Sequence, residues 1–184
     1  MNSKNYIAIV GLPGSGKTKA SDYFRTHGFT VLRFGDATDI GLKELGLPLT
    51  EVNERKYRED IRASLGMAAM AIKIEPRIKE AEPTSSEIVL DGMRSWEEYV
   101  YLKEKFPGLL ILSLYASPRI RYARLAKRAV RPLTTEESRA RDYSEIENLN
   151  SGGPIALADY VIKNEGTTDA LTQELDHFLE SIHI

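Results

Sequence analysis

The sequence predicts an α/β fold, with three α/β/α layers built around a five-stranded parallel sheet. Three observations carry that expectation. Strand-length apolar runs recur five times along the 184 residues, helical periodicities fill the intervals, and a Gly-rich turn of phosphate-binding type follows the first run. Strands that alternate with helices need crossover connections, and such crossovers cover both faces of a parallel sheet. Ligands on sheets of this kind sit at the carboxyl ends of the strands.

The expected strands are Tyr6 to Val10, Thr30 to Phe34, Glu87 to Leu90, Leu109 to Tyr115 and Tyr160 to Lys163. After the first, Ala20, Tyr23, Phe24 and His27 follow the i, i+3, i+4, i+7 rule, and Tyr99, Leu102 and Phe106 repeat it after the third. Leu171, Leu175, Phe178, Leu179 and Ile182 mark a closing amphipathic helix. The interval 39–82 reads as helices broken near Gly46-Leu47-Pro48 and again at Pro76. The interval 117–150 is also helical, interrupted at Arg131-Pro132. Both are expected to be mobile insertions within one domain spanning 1–184, in keeping with roughly 100 to 200 residues per domain.

Composition narrows the function classes. Hydrophobic residues at 42% and charged residues at 28% suit one sizeable core and exclude disordered and collagen-like chains. A formal net charge of -2 provides no global basic field, so nucleic acid is not an expected partner and any anion binding must be local. The absence of Cys removes disulfides, thiol nucleophiles and Cys-ligated zinc. His27, His177 and His183 are too scattered to suggest a histidine metal centre. The start MNSKNYIAIV lacks the apolar core and cleavage site of a secretory signal, and the apolar-rich run at 109–115 is too short for a bilayer. A soluble, cytoplasmic protein without membrane contacts is therefore expected; its oligomeric state is left open.

Gly11-Leu12-Pro13-Gly14-Ser15-Gly16-Lys17-Thr18 fits G-x-x-x-x-G-K-[ST], between an apolar strand and an amphipathic helix. Its glycines let the backbone curl so that successive N–H groups face phosphate oxygens, and the following helix adds the positive end of its dipole. Lys17 is placed to reach the β and γ phosphates, and Thr18 to offer a hydroxyl to Mg²⁺, which prefers hard oxygen ligands. The second strand ends in Phe34-Gly35-Asp36 and the third in Leu90-Asp91-Gly92-Met93-Arg94, which sets two carboxylates on the rim that carries this loop. Either Asp36 or Asp91 could hold a water of the Mg²⁺ shell or take a proton from an attacking hydroxyl, and Arg94 could fork onto a second phosphate. Asp-Gly is also ordinary turn chemistry.

From Arg119 to Arg141 there are eight basic and two acidic residues, a local excess of +6. Arg121, Arg124, Arg128 and Arg131 are spaced 3, 4 and 3 apart and would share one face of a continuous helix. Arginine stays charged in proteins and binds phosphate bidentately, which suits phosphoryl transfer. With acids scarce in this interval, its cations are expected to repel one another and the segment to be mobile. Arg55, Arg58 and Arg62 form a second stripe, with Glu51, Glu54 and Glu59 beside them as pairing partners.

These residues resemble the P-loop small-molecule kinases, in particular nucleotide kinases related to AMP and CMP kinases, with dephospho-CoA kinase close behind. The resemblance covers nearly the whole chain. Gly35-Asp36 is similar to the Gly-Asp after the second strand of adenylate kinases, and Asp91-Gly92-Met93-Arg94 to their Asp-Gly-Phe-Pro-Arg, one residue shorter. The resemblance implies a P-loop NTPase fold with strand order 2-3-1-4-5, an acceptor-binding insertion at about 39–82 and a lid at about 117–150. It implies that Arg94 meets the acceptor, that Arg124, Arg128 and Arg131 are lid arginines, and that Arg139 and Arg141 contact transferring phosphates; Arg58, from the second stripe, is also expected at the acceptor. Ala158 to Thr167 resembles the last strand and loop of dephospho-CoA kinases, so Asn164, Gly166 and Thr167 are implied to hold adenine. Adenylate kinases carry an arginine three residues beyond the Gly-Asp aspartate, where this chain has Asp39, so the acceptor is left open.

The expectation is an ATP- and Mg²⁺-dependent kinase acting on a nucleotide or nucleotide-like small molecule. Gly11, Pro13, Gly14, Ser15, Gly16, Lys17 and Thr18 would cradle ATP with Arg124. Asp36, Asp91, Arg128, Arg131 and Arg141 would serve catalysis, Thr18 and Asp91 would face Mg²⁺, and Asp36 would also contact the acceptor. Dephospho-CoA is an alternative acceptor, and a regulatory nucleotide-binding module is the non-enzyme alternative. A GTPase is disfavoured because no Asn-Lys-x-Asp guanine motif occurs.

Overall fold

In the computed structural model, residues 5–182 are described; the expected single domain also takes in 1–4 and 183–184, including His183, which lie outside the described residues. The chain runs β1 (Asn5–Val10), α1 (Lys17–Thr26), β2 (Thr30–Arg33), α2 (Phe34–Glu44), α3 (Glu51–Leu65), α4 (Ala69–Ala81), β3 (Glu87–Asp91) and α5 (Trp96–Lys105). It continues through β4 (Leu109–Tyr115), α6 (Pro118–Ala126), α7 (Thr135–Leu149), α8 (Gly152–Ala156), β5 (Tyr160–Lys163) and α9 (Thr168–Ile182). The five strands form one parallel sheet in the order β2-β3-β1-β4-β5, the order the resemblance implies.

β1 is central because Ile7, Ala8, Ile9 and Val10 are all apolar, so neither face of the strand needs solvent. The alternation of a strand then divides them between two cores. Ile7 and Ile9 join Phe24, Leu112, Leu114, Leu171 and Phe178 on one side. Ala8 and Val10 join Leu90, Ile111, Ile74 and Ile78 on the other. Parallel registry sets Ile9 beside Asp91 and Val10 beside Ser113, so the ends of β1 and β3 reach the same rim.

Three local expectations are corrected. Phe34 does not end the second strand; it opens α2, so Gly35-Asp36 is the first turn of a helix, where an acid suits the dipole. Pro76 does not break the chain, because α4 runs through it with Ala71, Ile74 and Ile78 buried. Burial of that face offsets the lost backbone bond, and the interruption falls instead between α3 and α4, where Gly66 has φ +79°. The arginine stripe is not one helix, since α6 ends at Ala126 and α7 restarts at Thr135 behind a Thr134–Glu137 capping box. Arg128 and Arg131 thus sit in the connecting loop, Arg131 with φ +52° before Pro132.

Candidate active-site cleft

The loop after β1 turns into α1 with Gly11, Gly14 and Gly16 at positive φ, conformations that favour glycine. None of the three positions has room for a side chain: a Cβ on Gly11 would run into the carbonyl oxygen of Leu114. A Cβ on Gly14 would lie 2.8 Å from the carbonyl oxygen of Arg121, and one on Gly16 would strike the Asn164 amide. The cradle is therefore held from outside. Asn164 Nδ2 donates to the Ser15 carbonyl at 2.8 Å, and Arg121 Nη1 donates to the Pro13 carbonyl at 3.1 Å.

Arg121 is 3% exposed and grips Asp142 through both guanidinium nitrogens at 2.8 and 2.7 Å, while the Tyr122 hydroxyl donates to the same carboxylate. This buried pair ties α6 and α7 to each other and to the phosphate loop. Arg124 adds a second tie, donating to the Asn164 carbonyl at 3.0 Å and the Gly14 carbonyl at 3.4 Å. The expected shortage of acids around the lid arginines is thus corrected: Asp142 and Glu145 lie just past the basic interval, and Glu51 comes from α3 to pair with Arg131.

Beside the loop opens a cleft of about 1060 Å³. Pro13, Gly14, Gly16, Lys17 and Thr18 form its floor. Asp91 and Arg94 reach it from the end of β3, and Arg58 from α3. Arg124, Arg128, Arg131 and Arg141 enter from the lid side. Lys17 Nζ donates to the carbonyls of Gly11 and Leu12, and burial pushes its pKa down to about 8, partly countered by Glu145 and Asp91. Arriving phosphates would replace those carbonyls with full negative charge.

Other expected site residues are not brought to the cleft. Asp36, expected at metal or acceptor, is held at the start of α2 by Arg77 at 3.1 Å and Arg33 at 3.5 Å and is not among the residues that line the cleft. Asn164 spends its side chain on Ser15 and Arg124, as a clamp on the loop. Thr167 Oγ1 accepts from the Ala170 amide in the first turn of α9, and Gly166 is exposed. Ser15 is buried within the loop, and Arg139 is exposed and outside the lining.

Sequence reasoning missed Glu145. Its Oε1 lies 3.5 Å from both Arg94 Nη1 and Arg141 Nε, so one buried carboxylate links the end of β3 to α7 across the cleft. The i, i+4 spacing from Arg141 was the available signal. Glu98 was missed too: it is fully buried at the cleft, accepts from the amides of Arg94 and Ser95, and burial pushes its carboxyl up.

Mg²⁺ would find hard oxygen donors here in the Thr18 hydroxyl and the Asp91 carboxylate, neither of which makes a side-chain hydrogen bond or ion pair among the described residues. Those residues hold no cluster of three or more His, Cys, Asp or Glu able to cage an ion. No helix among them is long and apolar enough to cross a membrane.

A family model described as an AAA domain matches residues 7–147. The chain is 32% identical over 180 residues to a UPF0200 protein of Pyrococcus abyssi, covering 96% of each, and 37% identical over 172 residues to one of Methanoculleus marisnigri, covering 92% of each. Among solved structures it is similar to TT1252 from Thermus thermophilus (TM-score 0.68, 18% identity, 97% and 98% of the two chains). It is also similar to shikimate kinase from Aquifex aeolicus vf5 (0.62, 17%, 97% and 98%) and to a gluconokinase from Sinorhizobium meliloti 1021 (0.57, 18%, 100% and 98%). At such identities the likeness shows the fold, that of P-loop kinases.

Proposed function

The chain belongs to the UPF0200 proteins and to the AAA domain family, and from that premise we propose that it is an ATP- and Mg²⁺-dependent kinase that transfers the γ-phosphoryl group of ATP to a nucleotide or nucleotide-like small molecule. The observation that carries this reading is one cleft whose floor is the phosphate loop and whose sides bring Arg94 and Arg58 from the sheet and α3 and Arg124, Arg128 and Arg141 from the lid. Cations on both sides of a phosphate loop suit a phosphoryl group passing between two anions.

The loop amides and Lys17 would hold the β and γ phosphates, with Lys17 exchanging its own carbonyl partners for phosphate oxygens. Arg128 and Arg141 would neutralise charge on the group in transit, and Arg124, tied to Gly14 and Asn164, would keep the lid base in line with the loop. Mg²⁺, when bound, supplies further charge neutralisation on the β and γ oxygens, and Thr18 and Asp91 are the residues that would hold it. Asp91, which lines the cleft, would alternatively accept a proton from an attacking hydroxyl. Glu145 would hold Arg94 and Arg141 at a fixed separation. The work would be done by one cytoplasmic domain.

Dephospho-CoA is the second acceptor to weigh, because the segment resembling dephospho-CoA kinases does form β5 and the loop that clamps Ser15. A panel of AMP, CMP, UMP, dTMP and dephospho-CoA under Mg²⁺-ATP tests the reading. The expected result is ADP formed in step with one acceptor. Nucleotide binding without acceptor-dependent ADP would favour a regulatory module.

A further inference from the structure

The three arginines of α3 differ in what surrounds them. Arg55 pairs with Glu59 in solvent, and Arg58 lies 3.6 Å from Glu54. Arg62, one turn further on, lines the cleft and is partly buried, and among the described residues its side chain makes no hydrogen bond or ion pair. Its Nε is enclosed without any partner. Glu98 is the acid nearest in effect, but its carboxylate accepts from the amides of Arg94 and Ser95. An arginine stays charged in a protein, so burial without a partner is a cost that an incoming anion would relieve.

A second orphan lies in the same cleft. Thr38 on α2 is 1% exposed, lines the cleft, and its hydroxyl has no hydrogen-bond partner. Buried polar atoms are satisfied in the great majority of cases, and exceptions in a pocket point to something that completes them. The lid offers a parallel in Arg128, whose side chain also makes no hydrogen bond among the described residues and whose charge is disfavoured by burial and by Arg141. The acceptor insertion and the lid thus each contribute one unpartnered guanidinium to the same cleft. A volume of about 1060 Å³ lies at the upper limit of single-ligand pockets, roughly 300 to 1,000 Å³, which leaves room for two ligands.

We propose that Arg62 and Thr38 are specificity-determining residues that bind an anionic group on the acceptor, and that the acceptor carries a phosphomonoester before it is phosphorylated. This rests on the kinase reading, and on ATP taking Lys17 and Arg128. With Arg58 and Arg94 nearby, the subsite offers three guanidiniums and a hydroxyl, which suits the three oxygens and two charges of a phosphomonoester better than a planar carboxylate. An acceptor lacking that group would leave both orphans buried and unpaired, and would be rejected on the order of 10²-fold or more.

The test measures binding and turnover separately. With a saturating non-hydrolysable ATP analogue and Mg²⁺ present, isothermal titration is run with AMP, ribose 5-phosphate, inorganic phosphate and adenosine on wild type, Arg62→Ala, Arg62→Lys and Thr38→Val. Circular dichroism confirms that each variant is folded. At least one phosphate probe is expected to bind wild type; adenosine is not. Arg62→Ala should weaken that binding roughly 10- to 100-fold, Arg62→Lys and Thr38→Val should weaken it less, and affinity for the ATP analogue should hold within twofold. AMP binding without ribose 5-phosphate identifies a nucleotide; binding of both identifies the phosphate itself as the determinant. Equal binding to wild type and Arg62→Ala, adenosine binding as tightly as AMP, loss of the ATP analogue in parallel, or no phosphate probe bound by wild type would each overturn the proposal. If Arg62→Ala does not fold, the folded Arg62→Lys and Thr38→Val variants decide by the same criteria. Phosphate binding lost in Arg62→Ala without ADP from any acceptor would leave the subsite standing and remove the kinase reading instead.

Discussion

The two intervals that flank the phosphate loop tie down their arginines in different ways. In the lid, Arg121 is buried against Asp142, Arg141 lies against Glu145, Arg124 against backbone carbonyls and Arg131 against Glu51. In the 39–82 interval, Arg55 and Arg58 pair with acids of their own helix, and the Arg62 side chain lines the cleft with no hydrogen bond among the described residues. Most pairs of the lid therefore cross between elements and fix the frame of the site, while the Arg62 and Arg128 side chains are left to the cleft. The difference teaches that charge along an interval of sequence says little about which cations are available to a ligand; the partners decide, and they come from outside the interval.

The largest expected effect breaks the lid half of this comparison. Asp142→Ala leaves Arg121 buried without its carboxylate, which costs about 3 to 5 kcal/mol when one partner of a buried pair is removed. A fall in Tm read by calorimetry, with a distorted phosphate loop and weaker ATP binding, is the expected result. Lys17→Ala should keep the fold and lower kcat by about 10²-fold or more, as for loss of one preorganised transition-state donor. Activity within twofold of wild type would remove the phosphate-loop assignment.

Arg94→Ala comes next. It should raise the acceptor KM about 10- to 100-fold and leave the ATP KM nearly unchanged, sharpening the division between the acceptor side and the ATP side. Glu145→Gln keeps the shape between Arg94 and Arg141 but removes the charge; a smaller, several-fold loss in kcat with an unchanged Tm is expected if the carboxylate positions both arginines.

Lys17 also gives a pH dependence. Burial lowers its folded pKa to about 8 from an ordinary 10.5, so between those values the unfolded chain binds more protons and this group's contribution to stability rises with pH. ATP binding runs the other way, since the loop needs the charged form: Kd should climb above about pH 8, by at most about tenfold per unit. Lys17→Arg should flatten the climb. The smallest effect is Arg131→Ala, whose exposed pair with Glu51 should leave Tm unchanged, as surface pairs usually do.

What the sequence made legible was local or periodic. The unbroken apolar run Ile7 to Val10 and the glycines before Lys17 were enough for the central strand and the phosphate loop, and Asp91 and Arg94 followed from the end of the third apolar run. Long-range pairing was not legible. Nothing near Asp36 announces Arg77, 41 residues away, and nothing near Arg121 announces Asp142, 21 residues away. Pro76 was misread because propensity was weighed without the buried face of α4 that overrides it. Arg62 resembles Arg55 and Arg58 in sequence, three members of one stripe; their partners separate them, since Glu59 and Glu54 pair with the first two and the Arg62 Nε is enclosed without one.

The central claim is that the lid base is fixed by the protein itself, while the lid loop and Arg62 wait for anions supplied by two ligands. Hydrogen exchange tests it most directly, because it reports local opening segment by segment. A bisubstrate analogue joining adenosine to a phosphorylated acceptor through a run of phosphates is added, and free and bound protein are compared. The account predicts added protection in residues 127–134 and in α3 around Arg62, with α6 protected to the same degree in both states. An α6 that exchanges as freely as the lid loop without ligand, or no gain around Arg62 with it, would contradict the account.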